Sequence, residues 1–265
     1  MDQNIDVNVL NEIYNYGIRY QKENLPDQET LKKINNDWWE ALKFFLGRAF
    51  YQGRRNDVSY MVYEKAVQVL DPIFKQPALD LNDPSLKNRL NNLNMVIGKG
   101  KVGKARDIEM VISCIDFIRR VPGYNIVNYS VEKVKAKNIE GHYYELQKAE
   151  DSNGIVQVGP KVASFYLRDV VCSFKLENYV PVQFQFCLQP IDTWVRKIAI
   201  STNIFKAMPE SELERLENGY YDEDIRAKII ELCDHNGWNA LQFNQGAWYA
   251  GYYAFPLLLE RLAKK

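Results

Sequence analysis

Apolar residues recur along most of the chain with the spacing of amphipathic helices. The clearest run follows Asp27, where large apolar side chains recur at three- and four-residue steps through Ala49 and so share one helix face. Asp83 and Pro84 predict a helix start, as an N-cap followed by proline at the first helical position, and Pro209 precedes acidic residues suited to another helix start. Further helices are predicted over residues 6–20, 57–71, 104–119, 130–148, 161–174, 192–201, 222–235 and 247–263.

One segment departs from the helical period. Between Val182 and Leu188, large apolar residues alternate with smaller or polar ones, which is the period of a strand or an extended loop. The connections elsewhere are short and carry Gly, Pro, Asn or Asp. The pattern therefore predicts an all-α protein with one short extended insertion.

Composition narrows the class of protein. The 265 residues are 46% hydrophobic and 26% charged, which is typical of a globular chain with one domain or two small lobes. No stretch approaches the roughly 20 apolar residues of a spanning helix, so no membrane association is expected. The acidic amino terminus lacks the features of a secretory signal, and a cytoplasmic location is expected.

Charge is balanced overall but unevenly distributed. The chain has 34 basic and 34 acidic residues, which argues against a surface that is basic all round. Residues 1–50 hold 6 basic and 8 acidic groups, and residues 201–265 hold 7 and 10. Residues 51–200 hold 21 basic and 16 acidic groups, a net charge of +5. An anionic partner is therefore expected to bind the middle of the chain.

Cysteine and histidine are too few and too scattered for a metal centre. The four cysteines, Cys114, Cys172, Cys187 and Cys233, fit neither a disulfide framework nor the spacing of a zinc or iron–sulfur site. The chain has only two histidines. Buried free thiols are expected, with no metal and no cofactor.

The first chemical motif lies in residues 156–169. A turn containing Gly159 opens into a helix through Pro160 and Lys161, so that backbone N–H groups of the first turn face outward and suit a phosphate. Glycine at 159 permits a backbone angle closed to other residues. The helix dipole favours the neutral amine of Lys161, as a nucleophile requires. The alternative is an ordinary helix start with a solvated lysine.

The second motif, residues 189–199, centres on Asp192. This residue is predicted to be an N-cap whose carboxylate is kept ionised by the helix amino terminus. A routine capping role is the commonest one for such an aspartate.

Together the two motifs resemble those of the helix-hairpin-helix DNA glycosylases. In that superfamily a hairpin of the form Val-Gly-x-Lys-x-Ala is followed by Pro-Val-Asp at a later helix start. The resemblance implies a single two-lobed α-helical domain over residues 1–265, with approximately 60–188 as a central lobe and 1–59 plus 189–265 as the second. It implies that Lys161 is the nucleophile of a bifunctional member, that Asp192 is the catalytic carboxylate, and that both act in the cleft between the lobes.

A third segment is similar to the C-terminal helix of the archaeal 8-oxoguanine DNA glycosylase/AP lyases. Trp248 matches the base-stacking tryptophan of that family, and Asn244 occupies the place of its acidic residue, which also lines the base pocket, so the resemblance implies that both bind the substrate. Phe165, one helical turn after Lys161, matches an aromatic residue of the same pocket. The resemblance implies excision of 8-oxoguanine from damaged DNA by a monomer. Gln157 stands where the family's hairpin has its first glycine.

A basic turn at residues 98–105 admits a different interpretation. It meets the glycine and lysine spacing of a P-loop, but Ala105 replaces the Ser or Thr that holds magnesium. We interpret Lys99, Lys101 and Lys104 as contacts to DNA phosphates. A solvated surface turn is the alternative.

Other functions remain compatible with the sequence. A helix-hairpin-helix protein that binds DNA without chemistry would keep Gly159 and the basic turn, but it would need neither Lys161 nor Asp192. A glycosylase for another damaged base would keep all of them. In a prokaryote, any of these proteins is expected to associate with the nucleoid.

Overall fold

The computed structural model describes residues 6–52, 54–76, 79–93, 106–148, 153–205 and 209–263. These residues form α-helices joined by turns and short 3-10 helices, with no strand among them, so the predicted all-α class is confirmed. No helix in these ranges is long and apolar enough to cross a membrane. The α-helices are α1 Val7–Asn24, α2 Gln28–Asn36, α3 Trp38–Ala49, α4 Asn56–Phe74, α5 Pro84–Asn91, α6 Arg106–Ile118, α7 Ile126–Lys135, α8 Ile139–Leu146, α9 Pro160–Ser173, α10 Thr193–Ser201, α11 Leu213–Glu217, α12 Asp222–Asn236 and α13 Ala240–Ala263.

The helices form two compact units. The terminal unit comprises Met1–Leu25 and Pro181–Lys265, and the central unit comprises Pro26–Val180. Residues 26–59, which the sequence placed with the terminal lobe, pack in the central unit because α3 contacts α4, α7 and α9. Residues 181–188 pack in the terminal unit, against α12.

The continuous helix predicted after Asp27 is in fact two helices. Asp27 caps α2 through the Thr30 amide at 2.8 Å. Asp37 then takes an extended backbone conformation and its carboxylate accepts the N–H groups of Trp39 and Glu40, at 2.7 and 3.1 Å. The apolar period continues across this break, because a local side-chain cap starts α3 without changing which face is buried.

Two further predictions are corrected. The helix expected over residues 130–148 is divided into α7 and α8 by a turn in which Lys137 has a left-handed φ of 58°. Val182–Leu188 is a 3-10 helix rather than an extended insertion. Pro181 precedes this helix, and its carbonyl accepts the amide of Phe184 at 2.9 Å, so a turn replaces the strand that alternation predicted.

Very close contact between α1 and α13 organises the terminal unit. A Cβ atom added to Gly246 would lie 1.8 Å from the carbonyl oxygen of Ile13, and one added to Gly17 would lie 2.2 Å from that of Gln242. Only glycine allows the two backbones to approach this far. The side chains beside this contact, including Leu10 and Phe243, are buried in the core of the unit.

In the central unit, α9 is largely buried. The carboxylate of Asp169 is fully buried and accepts hydrogen bonds from Arg48 at 3.0 Å and from Arg168 at 3.0 and 3.1 Å. Tyr166, also buried, packs edge-on against Phe45 with ring centroids 4.8 Å apart. Removing one partner of such a buried ionic group leaves an uncompensated charge, so these contacts fix α9 in one position.

Gly246→Ala is expected to destabilise the protein strongly, because its methyl group would overlap the α1 backbone. We expect a loss of about 3 kcal/mol in the free energy of unfolding, measured by urea denaturation followed by circular dichroism. Gly47→Ala is the matched control, since among the described residues its Cβ atom would meet the Tyr63 ring alone, at 3.7 Å. Its free energy of unfolding should stay within about 1 kcal/mol of the wild type. Equal effects of the two substitutions would contradict the close α1–α13 contact.

Candidate functional site

The first candidate segment, called the hairpin below, consists of α8, α9 and residues 147–159 between them, of which the structure describes 147–148 and 153–159. Backbone hydrogen bonds close the turn, from Lys148 to Val158 at 3.1 Å and from Ile155 to Leu146 at 3.0 Å. A Cβ atom on Gly154 would lie 1.9 Å from the carbonyl oxygen of Gln147. Glycine is therefore required at 154, where the two sides of the turn meet.

Gln157, not Gly159, has the unusual backbone angle in this turn. Gln157 has a left-handed φ of 65°. It stands at the position where the hairpin of the glycosylases that the sequence resembles has its first glycine. Gly159 has a φ of −105°, which any residue adopts, so the prediction that it uses a glycine-only angle is wrong. A Cβ atom on Gly159 would meet no atom within 4 Å among the described residues. The start of α9 is therefore open on that side.

Lys161 lies in the first turn of α9. The helix begins with Pro160, and no side chain caps its amino end within the described ranges. Beyond Pro160, only Lys161, Phe165 and Cys172 of this helix are partly exposed, and its other side chains are buried. These three positions follow the helical repeat and share one face. The predicted nucleophile and the predicted pocket aromatic therefore lie on the one accessible stripe of α9.

Phe165 is held in place by neighbours of the central unit. Tyr51 packs edge-on to its ring with centroids 5.9 Å apart, and the guanidinium of Arg168 lies 5.1 Å from its centroid. The same guanidinium bonds the buried Asp169 carboxylate. Phe165 is thus an aromatic side chain that is fixed in position and partly accessible.

A polar network joins the hairpin helices to α7. The hydroxyl of Ser130 lies 2.8 Å from Nε2 of His142, and Nδ1 of His142 lies 3.0 Å from the Glu145 carboxylate. These distances match a Ser-His-acid triad. Ser130 is fully buried, however, and its hydroxyl also contacts the Ile126 carbonyl and the Tyr166 hydroxyl, at 2.7 and 2.8 Å. The network is therefore structural, because no substrate reaches the serine.

The network shifts the pKa of both ionisable members. Burial lowers the pKa of His142 below its usual value, so the ring is neutral near pH 7. The hydrogen bond from His142, with a smaller contribution from that of Tyr129, lowers the pKa of Glu145 to about 2. Lys133 also faces the carboxylate, at 3.7 Å.

In the terminal unit, Asp192 caps α10 as predicted. Its Oδ1 accepts the N–H groups of Trp194 and Val195, both at 2.9 Å. Within the described part of the chain no hydrogen bond reaches Oδ2 of this partly exposed residue. One carboxylate oxygen is thus engaged by the helix, while the other is left for a second interaction.

Asn244 and Trp248 lie on α13, in the same unit as Asp192. Asn244 is fully buried, and its amide donates to the Pro190 carbonyl at 3.2 Å, which links α13 to the segment that carries Asp192. Trp248 is partly buried and stacks on Tyr252, with centroids 5.4 Å apart and an interplanar angle of 19°. Trp248 is thus a partly accessible ring, whereas Asn244 is enclosed.

Sequence reasoning missed two neighbours of this segment. Gln189 is fully buried and neither polar atom of its side chain has a hydrogen-bond partner among the described residues, although its carbonyl accepts from Arg226 at 2.8 Å. Gly251 lets Trp194 pack against α13, since an added Cβ atom would lie 2.7 Å from that of Trp194. In the sequence, Trp248 and Tyr252 are four residues apart, which indicates that the two rings share one face of α13.

The predicted residues divide between the two units. Lys161, Phe165 and Gly159 belong to the central unit, which has 23 basic and 19 acidic residues, a net charge of +4. Asp192, Asn244 and Trp248 belong to the terminal unit, which has 11 basic and 15 acidic residues. The basic excess is therefore in the unit that contains the hairpin. Lys99, Lys101 and Lys104 lie outside the described residues.

Other possible sites are weaker. The terminal unit has a groove of about 480 Å³ between the 182–188 helix and α12, but Glu223, Glu231 and Asp234 line it and would repel phosphates. No group of three or more His, Cys, Asp or Glu side chains within the described ranges is placed to hold a metal. Three of the free cysteines are buried as expected, and Cys172 is partly exposed.

Acid is expected to destabilise the hairpin through its His-Glu pair. Both groups have a lowered pKa in the folded state, so unfolding takes up protons, and stability falls below about pH 6.5 for His142 and below about pH 4.5 for Glu145. Glu145 raises the pKa of His142, so its removal increases the His142 part of this loss, and the test therefore uses the range between about pH 4.5 and about pH 2. Across that range Glu145→Gln should reduce the loss of unfolding free energy in urea denaturation. The exposed Glu132→Gln should leave that loss unchanged, and an unaltered pH dependence in Glu145→Gln would refute the assignment.

Comparison with known proteins gives no family assignment. Neither a scan against protein-family models, nor a search of curated proteins, nor a search of solved structures found a match to this chain.

Proposed function

We propose that the protein is a bifunctional DNA glycosylase and AP lyase that excises an oxidised purine, with 8-oxoguanine as the favoured substrate. The observation that carries the proposal is the start of α9. There Lys161 lies in the first turn of an otherwise enclosed helix, on its single accessible stripe, next to an amino end that no described side chain caps. An amine in this position combines a nucleophile with backbone N–H groups suited to a phosphate.

Lys161 supplies the nucleophile in the proposed reaction. Its neutral amine forms a bond to the anomeric carbon of the deoxyribose as the bond to the base breaks, and the base leaves with the electron pair and takes up a proton. Ring opening gives a Schiff base between the lysine and the sugar. Loss of a proton from the adjacent carbon then expels the 3′ phosphate and nicks the strand, and water hydrolyses the imine to release the enzyme.

Asp192 supplies negative charge at the sugar. As the bond to the base breaks, positive charge develops on the sugar, and a carboxylate already held by two helix N–H groups needs little reorganisation to stabilise it. Its second oxygen is the one assigned to this interaction. The amine and the carboxylate together account for both steps, so the proposal requires no metal or other cofactor.

Phe165 and Trp248 are the proposed base-stacking side chains. Extruding a nucleotide from the duplex costs a few kcal/mol, which stacking on partly exposed rings offsets. Asn244 is assigned an indirect role, because it is fully buried and bonds the Pro190 carbonyl, two residues before Asp192. The protein is proposed to work as a monomer on cytoplasmic DNA, within the nucleoid in a prokaryote.

Lys161→Gln is expected to abolish strand cleavage. The assay uses labelled duplexes that each carry one damaged base, such as 8-oxoguanine, uracil or an abasic site, and measures nicking by gel electrophoresis. The amide of glutamine is not nucleophilic, so cleavage should vanish while DNA binding persists. Lys175→Gln, at an exposed lysine just beyond α9, is the control and should cleave normally.

A wild-type protein that binds these duplexes but cleaves none of them would favour the alternative of DNA binding without chemistry. Cleavage of a duplex with a different lesion only would retain the mechanism and replace the substrate.

Asp192→Asn is expected to slow base excision by about 100-fold or more. Asparagine caps helices as well as aspartate does, so α10 should keep its start while the carboxylate charge is lost. Asp6→Asn is the matched control, because Asp6 caps α1 in the same unit through the Asn8 and Val9 amides. Excision rates are measured under single-turnover conditions. Near-normal excision by Asp192→Asn would leave Asp192 with a capping role alone.

A further inference from the structure

An aromatic ridge made of Trp194, Trp248, Tyr252, Tyr253 and Phe255 crosses α10 and α13 of the terminal unit. Ring contacts connect its members in sequence. Tyr252 lies 5.4 Å from Trp248, 4.6 Å from Tyr253 and 6.3 Å from Trp194, measured between ring centroids. Trp194 in turn lies 5.9 Å from Phe255. The five rings therefore form one continuous aromatic surface rather than isolated side chains.

The ridge is accessible from outside. Tyr253 is 59% exposed and Tyr252 is 36% exposed, and the other three rings are partly exposed. Rings that serve only the core of this unit, such as Phe243, are fully buried. Exposed aromatic surface is costly in water and commonly marks a binding site. Trp248 and Phe255 pack against the core of the unit, and Tyr252 and Tyr253 extend this aromatic surface into solvent.

One end of the ridge has a cation. The ammonium of Lys197 lies 4.9 Å from the Trp194 centroid and 5.8 Å from that of Phe255, and this residue is exposed. At the other end, the Glu23 carboxylate accepts the hydroxyl of Tyr249 at 2.9 Å. An anionic ligand is therefore expected to place its charge near Lys197 and its rings along the ridge.

We propose that this ridge binds unpaired nucleotides of a DNA strand, with bases stacked on the rings and a phosphate near Lys197. Aromatic side chains and cations together are the usual means of binding single strands, since every base has a face that stacks. In a duplex those faces are covered by neighbouring bases and only the edges are reached. The ridge therefore selects strands with unstacked bases.

The position of the ridge relative to the chemistry rests on the proposed function. The amide of Trp194 donates to Asp192, the carboxylate assigned to the sugar of the excised nucleotide. The ridge thus begins next to that carboxylate and continues away from it along α13. Nucleotides that flank the damaged one, once separated from their partners, would pass over it.

The test measures the affinity of the full chain for a fluorescein-labelled oligodeoxythymidine by anisotropy. Tyr253→Ala should weaken binding by about tenfold or more, whereas Tyr253→Phe keeps the ring and should bind like the wild type. Tyr220→Ala is the matched control, because Tyr220 is 68% exposed in the same unit, lies outside the ridge and has an arginine over its ring. Lys197→Ala should weaken binding and reduce its salt dependence. A fully paired duplex of the same length should show none of these differences.

Several results would overturn this inference. They are absence of binding to the oligonucleotide, equal binding by Tyr253→Ala and the wild type, or an equal loss in Tyr220→Ala. A ridge that instead mediates self-association or binding to anionic phospholipid vesicles would show its Tyr253 dependence in sedimentation or vesicle pelleting alone. If strand binding depends on Tyr253 but the protein has no lyase activity, the proposed function is refuted and the ridge proposal stands. If the protein has lyase activity but strand binding does not depend on Tyr253, the ridge proposal alone is refuted.

Discussion

The contact between the backbones of α1 and α13 is the constraint on which the terminal unit depends. Gly246 and Gly17 remove the side chains that would hold these helices apart. With α13 fixed, Gly251 receives Trp194 and Asn244 bonds Pro190, so the segment leading into α10 is held at both ends. The carboxylate of Asp192 is therefore positioned by residues from opposite ends of the chain.

The central unit fixes its own part of the site by burying charge rather than by close backbone packing. Asp169 bonds two arginines inside the unit, and Ser130 joins His142 to Tyr166 across three helices. Buried polar groups with all their partners present specify a single arrangement, because any other would leave them unpaired. Such an arrangement suits a hairpin that has to present Lys161 and Phe165 on one narrow stripe.

Features that depend on a few neighbouring residues were predictable from the sequence. The caps at Asp83 and Asp192 and the proline start of α9 are local, and each is present. Alternation at 182–188 was misleading, because a turn after Pro181 buries Cys187 and Leu188 without a strand.

Features set by distant contacts could not be read from the sequence. In the sequence, Gly246 cannot be distinguished from other helical glycines, because its requirement comes from the distant Ile13 carbonyl. Asn244 was predicted to line a pocket, whereas the structure shows that it is fully buried. The left-handed φ at Gln157 could not be predicted, because such angles are expected at glycine rather than at glutamine. The sequence was therefore sufficient to identify the candidate residues and to place Lys161 and Asp192 at helix starts. The exposure of these side chains and their hydrogen-bond partners required the structure.

The central claim is that Lys161 becomes covalently attached to the substrate. The most direct measurement is borohydride reduction of the protein on a duplex containing 8-oxoguanine, followed by proteolysis and mass spectrometry to locate the modified residue. A sugar-derived mass increase on the peptide containing Lys161 is the predicted result. A stable adduct on any other lysine or on the amino terminus, or the lack of any adduct with 8-oxoguanine, uracil and abasic substrates, would contradict it.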